Sequence, residues 1–137
     1  MLLAAGALVA VLLAITLVAL EGGEVVVVRT LAAAGTGEGP VDGAWRQTRT
    51  WIADADGAAW VEAADESRLF LADLRRLPVA RLRRGRRDLT CRAAIWPNPG
   101  GHRRIRELLR ARYGWKDRWI GLIASTHGSV AIRLDCR

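Results

Sequence analysis

Residues 1–20 of the chain carry no charge, no Pro, no Asn and a single Gly. At about 1.5 Å of rise per residue, such a stretch is long enough to cross a hydrocarbon core of about 30 Å as one helix. A cleaved signal peptide is the competing reading. It would bring a basic leading segment, a shorter apolar stretch and a small-x-small cleavage site, and none of the three is clear here. The expectation is therefore a membrane anchor over residues 1–22 and a single domain over residues 23–137, since what remains suffices for one core but not for two. No Lys or Arg precedes the apolar stretch, while the domain behind it is basic. The positive-inside rule then places that domain in the cytoplasm, on a single-pass protein of the cell membrane.

Lys and Arg number 21 against 14 Asp and Glu, a net charge of +7, and all but Lys116 of those basic residues are Arg. Such a surface prefers anionic partners, although an arginine-rich coding bias gives the same count with no function attached. Arg75, Arg76, Arg81, Arg83, Arg84, Arg86, Arg87 and Arg92 gather against only Asp88. On a tethered domain this cluster meets membrane lipid headgroups before nucleic acid, and no nucleic-acid partner is expected. Cys91 and Cys136 lack a C-x-x-C spacing and His102 and His127 lie far apart in sequence, so no metal site is expected. The cysteines are read as thiols of a reducing cytoplasm, with a disulfide as the alternative in an oxidising space.

Residues 24–30 form a β-branched run that suits a strand, and residues 31–43, rich in Ala and Gly, read as a mobile loop. Residues 45–53 and 58–63 flank the turn sequence Asp54-Ala55-Asp56-Gly57 and predict an antiparallel hairpin. Ser67 is placed to cap a short helix in which Phe70, Leu74 and Leu77 share a face and which Pro78 stops. A second hairpin, 79–84 with 89–95, turns at Gly85. Asn98 and Pro99 open a helix with Ile105, Leu108 and Leu109 on one side and Gly114 at its end. Trp115, Trp119, Leu122 and Ile123 repeat the helical spacing, and 129–134 closes the chain as a strand. About six strands with few covering helices predict an α+β fold in which the sheet closes into a small barrel, removing exposed edges.

No nucleophile, base and orienting acid stand in a hydrolase arrangement, and Gly35, Gly37 and Gly39 lie in the loop rather than before a helix. The remaining candidates suit a phosphate. Along residues 45–53, strand alternation puts Arg46, Thr48 and Thr50 on one face and Gln47, Arg49 and Trp51 on the other. Ser67 and Arg68 stand where a helix start offers free N–H groups to an anion, an ordinary capped helix being the plainer account. Of the six tryptophans, most belong in the core or an interfacial belt, with Trp51 the first choice for stacking on a planar ligand.

Thr48-Arg49-Thr50-Trp51, Asp56-Gly57, Trp60-Val61, the run from Leu71 to Pro78, the strand 79–84 and Tyr113-Gly114-Trp115 together resemble the split β-barrel flavin-binding superfamily. That superfamily includes pyridoxamine phosphate oxidase and the deazaflavin-dependent nitroreductases, and the likeness covers roughly residues 25–134. It implies a barrel that binds FMN or a deazaflavin of the 8-hydroxy-5-deazaflavin type. The cofactor would pass a hydride to a quinone, a nitro compound or a similar small-molecule electron acceptor. Carried over by position, Thr48, Arg49 and Thr50 would hold the phosphate or ring edge, and Ser67 and Arg68 would complete the phosphate site. The same resemblance implies a homodimer. The rival expectation is a non-catalytic barrel whose basic surface binds anionic headgroups or a partner protein.

Overall fold

Asp56 and Gly57 both take positive φ, 54° and 72°, the left-handed geometry that a tight hairpin turn requires. They join two strands that pair antiparallel from Ile52↔Val61 to Ala55↔Ala58. A computed structural model describes residues 2–33, 41–42 and 44–137. Its elements run α1 (Leu2–Glu21), β1 (Val25–Leu31), β2 (Val41–Asp42), β3 (Trp45–Ala55), β4 (Ala58–Ala63), α2 (Leu69–Arg76), β5 (Val79–Arg84), β6 (Arg87–Trp96), α3 (Gly100–Tyr113), α4 (Trp115–Ile123) and β7 (Val130–Cys136). Most of the expected loop, with Gly35, Gly37 and Gly39, lies outside the described residues, but its end contributes the short strand β2.

The strand order is β1-β5-β6-β7-β4-β3-β2, and β1 also pairs with β3, so six antiparallel strands close a barrel as expected. Alternation explains the closure. Val26, Val28 and Thr30 point inward from β1, and with Ile52, Val61, Leu82, Ile132 and Leu134 they fill the interior, which α2 plugs with Phe70, Leu71 and Leu74. A smaller cluster of Trp60, Ile105, Leu109, Tyr113 and Ala131 fastens α3 to the outside.

β3 is longer than its partners and changes neighbour midway. Its last rung with β1 is Trp51↔Val25, and its first with β4 is Ile52↔Val61. At that switch β1 has ended, and the Tyr113 hydroxyl takes its place. It accepts from the Ile52 N–H at 3.0 Å and lies 2.8 Å from the carbonyl oxygens of both Ile52 and Glu24. Burial holds the phenol above its ordinary pKa, so it stays a donor. Tyr113→Phe leaves the Ile52 amide without this partner and is expected to cost ~1–3 kcal/mol in a denaturation experiment.

Glu24 and Asp54 are bridged by two arginines. Arg84 reaches Glu24 at 2.6 Å and Asp54 at 2.7 Å, and Arg112 also contacts both. The hydrogen bond from Arg84 holds both carboxyls below their ordinary pKa. A carboxyl depressed by folding stabilises the fold above its unfolded pKa and loses that effect as pH falls through the folded value. Acid below about pH 4 should therefore weaken the fold. Arg84→Gln should flatten this acid limb in pH-dependent thermal unfolding.

Two expectations are corrected here. Ser67 does not cap α2: the helix begins at Leu69, its N-cap is Arg68, and no side chain caps it. Asp65 draws Ser67 away, accepting from both its amide and its hydroxyl. Cys91 and Cys136 are not separate thiols but a disulfide. The β6–β7 register sets them directly opposite, a pairing hidden in the sequence by a separation of 45 residues.

α1 joins the barrel through a tight corner. A Cβ on Gly22 would lie 2.4 Å from the Val18 carbonyl oxygen, and one on Gly23 would lie 2.5 Å from the Tyr113 ring. Over Leu3–Glu21 the helix has a mean hydropathy of 2.8 and is long and apolar enough to cross a membrane.

Candidate functional site

When β3 parts from β4 it leaves an opening, because over residues 47–51 β3 pairs with β1 along one edge while no strand, among the described residues, pairs with the other. Alternate backbone groups of that stretch point toward the open side. The opening is a groove of about 920 Å³. Its floor is β3, one wall is residues 64–65 and 67–70 leading into α2, the other is Asp117 and Ile120 of α4 with residues 124–126, and one end is closed by Leu20 and Glu21 of α1.

All six residues singled out in the sequence, Thr48, Arg49, Thr50, Trp51, Ser67 and Arg68, line this one groove. Their surroundings differ. Arg49 is well exposed and donates to Glu21 at the end of α1 at 2.8 Å. Arg68 is also exposed and sits 3.7 Å from Asp65. Hydrogen bonds from the Ser67 hydroxyl and amide hold the Asp65 carboxyl below its ordinary pKa. The Thr50 hydroxyl lies 3.4 Å from the Glu62 carbonyl. Trp51 stacks one face on Tyr113, with ring centroids 4.3 Å apart, and its indole N–H donates to the Leu20 carbonyl. That face is closed to a ligand.

Sequence reading missed two buried groups around the groove. Arg46 shares the inward face of β3 with Thr48 and Thr50, their β1 partners being the inward Thr30, Val28 and Val26. It meets Asp73 of α2 at 2.8 Å, and Thr30 donates to the same carboxylate oxygen at 2.8 Å. Arg106 of α3 is gripped by Glu62, 3.1 Å away, and by Asp117, which ties α3, β4 and α4 together. An Arg on the inward face of a strand and an Asp within a helix were the available signal for the first, and the second depends wholly on tertiary placement. At the far end His102 Nδ1 lies 2.8 Å from the hydroxyl of Ser129, itself a groove residue.

Each groove arginine thus has a carboxylate partner. Buried pairs such as Arg46–Asp73 are fixed. Exposed pairs such as Arg49–Glu21 and Arg68–Asp65 are held only weakly and can exchange their carboxylate for a phosphate. The uncapped start of α2 lies beside them, with Leu69 and Phe70 on the groove wall and first-turn N–H groups available to an anion.

No protein-family model matches the chain, and no curated protein matches it significantly. Solved structures do. A conserved hypothetical protein of Mycobacterium tuberculosis superposes with a TM-score of 0.57 at 18% identity, over 81% of this chain and 71% of its own. A proposed pyridoxamine 5′-phosphate oxidase of Listeria innocua gives 0.55 at 14% identity, over 91% and 90%. An FAD-binding protein of Mesorhizobium loti gives 0.52 at 14% identity, over 91% and 88%. At these identities the likeness is one of fold, and the fold is the split barrel that the sequence motifs resemble.

Proposed function

We propose that this chain is a membrane-anchored oxidoreductase whose groove binds FMN or a deazaflavin and whose electrons pass as hydride to a quinone, a nitro compound or a similar acceptor. The observation that carries this reading is the convergence of Thr48, Arg49, Thr50, Trp51, Ser67 and Arg68 on one groove, in a fold that an FAD-binding protein shares. The residues fit such a cofactor. Arg49, Arg68 and the first amides of α2 would take the phosphate, the open edge of β3 would meet the ring's polar rim, and Phe70 and Ile120 would line its apolar side. The cofactor supplies the hydride chemistry, while the chain binds, orients and screens it from water. Placing the groove against the end of α1 suits an acceptor dissolved in the bilayer.

Titrating the full chain in detergent with FMN, and separately with an 8-hydroxy-5-deazaflavin, tests this through absorbance and fluorescence. Binding of either supports the reading, and folded protein that binds neither overturns it in favour of a non-catalytic barrel whose basic surface meets anionic headgroups. Arg49→Ala should weaken a phosphate-bearing cofactor by ~1.5–3 kcal/mol, and an unchanged Kd removes Arg49 from the site.

The proposed location is the cell membrane with the barrel on the cytoplasmic side, as the charge distribution around α1 favours. Disulfides persist in oxidising compartments, so the Cys91–Cys136 bond speaks against this side, and only cells that yield both residues as thiols under a thiol-trapping quench uphold the cytoplasmic placement. Recovery of the cystine places the barrel on the opposite side.

A further inference from the structure

α4 carries an apolar stripe that the fold leaves uncovered. Leu122 is 81% exposed, Ile123 57% and Trp115 53%, and with Trp119 they fall on one arc of the helix. A contiguous stripe of large apolar groups marks a surface that something covers. It is continuous with the anchor: the Trp119 indole N–H donates to Thr16 Oγ1 of α1 at 3.0 Å, and Lys116 donates to the Gly22 carbonyl. Thr16 precedes the end of α1 by five residues, about 7 Å along the helix axis. That is the depth to which an interfacial helix sinks its apolar face, and the level at which indoles collect.

Charge on the flank of the stripe matches the same cover. Between α3 and α4 runs a second groove of about 970 Å³, lined by Arg103, Arg110, Arg118 and, at its apolar side, Leu122; the Glu107 and Asp117 carboxylates also line it, paired with Arg104 and Arg106. The three arginines are exposed and, among the described residues, form no ion pair. Their neighbours on α3 are otherwise engaged, Arg104 with Asp56, Arg106 with Glu62 and Asp117, and Arg112 with Glu24. The unsatisfied cations of α3 therefore collect on the side that faces α4, next to its apolar stripe.

We infer that α4 lies in the membrane–water boundary and that the α3–α4 groove receives the headgroup of an anionic phospholipid whose acyl chains pass Leu122 toward α1. This rests on the reading of α1 as an anchor. Its consequence is orientation: the inward side of α4, with Asp117 and Ile120, is a wall of the cofactor groove, so that groove opens at the lipid surface.

The test uses the full chain reconstituted in phosphatidylcholine vesicles, with and without phosphatidylglycerol, and with lipid brominated near the headgroup end of its acyl chains. Flotation after an alkaline wash reads the anchor, and quenching of tryptophan fluorescence reads α4. The expected result is strong shallow quenching that is largely lost in Trp115→Phe combined with Trp119→Phe and kept in Trp45→Phe. Phosphatidylglycerol should deepen the quenching in the parent but not in a variant carrying Arg103→Gln, Arg110→Gln and Arg118→Gln. A chain that floats with Trp115 and Trp119 unquenched overturns this inference and leaves the anchor standing. Chemical crosslinking that then joins two copies through α4 would assign the stripe to a second copy instead. A chain that no longer floats ends both readings.

Discussion

Asp73→Ala is expected to destabilise the fold by ~3–5 kcal/mol, enough to leave much of the protein unfolded at growth temperature. Both Asp73 and Arg46 are almost completely buried, with side chains 4% and 5% exposed, and the carboxylate also accepts from Thr30. Removing it takes from a buried guanidinium its carboxylate partner on α2, which water cannot replace at that depth. Thr30→Val, which removes only the neutral donor, should cost a fraction of that, ~1 kcal/mol. Urea denaturation of the two variants checks the ranking, and near-equal midpoints would show that the ion pair does not hold α2 in the barrel.

Arg106→Ala should cost ~3 kcal/mol. Glu62 and Asp117 then face each other in the groove wall with no cation between them. Two carboxylates left side by side in a partly buried wall oppose folding by their mutual repulsion. Urea denaturation reads the loss, and a variant with the parent's midpoint would show the Arg106 bridge to be solvent-screened. Because Asp117 rides on α4, the same variant should loosen the groove and weaken the cofactor binding proposed for it.

The barrel was legible because its signals are local. Asp56-Gly57 forces a turn, the four valines of β1 alternate in burial, and Gly114 marks the end of α3 whatever lies around them. The groove residues were legible in part, since one strand carries Thr48, Arg49, Thr50 and Trp51 in succession and only their shared wall with Ser67 and Arg68 needed coordinates. Local reading failed where distant charge decides. Arg46 keeps the strand's alternation with Thr48 and Thr50, but the carboxylate that meets it, Asp73, lies 27 residues on; Ser67 has the chemistry of a cap, yet Asp65 lies two residues away and binds it first. Trp51 looked free to stack until Tyr113, 62 positions later in the chain, proved to cover it.

Gly22 and Gly23 make the corner between helix and barrel too close for any side chain at either position. A spacer of that kind behaves as a rigid bracket and not as a tether. If α1 is the anchor proposed above, the barrel does not roam over the bilayer; its aperture keeps one height and one tilt, and whatever it meets diffuses to it in two dimensions. Lengthening the corner by a few flexible residues would trade that fixed posture for reach, letting the groove sample bulk solution.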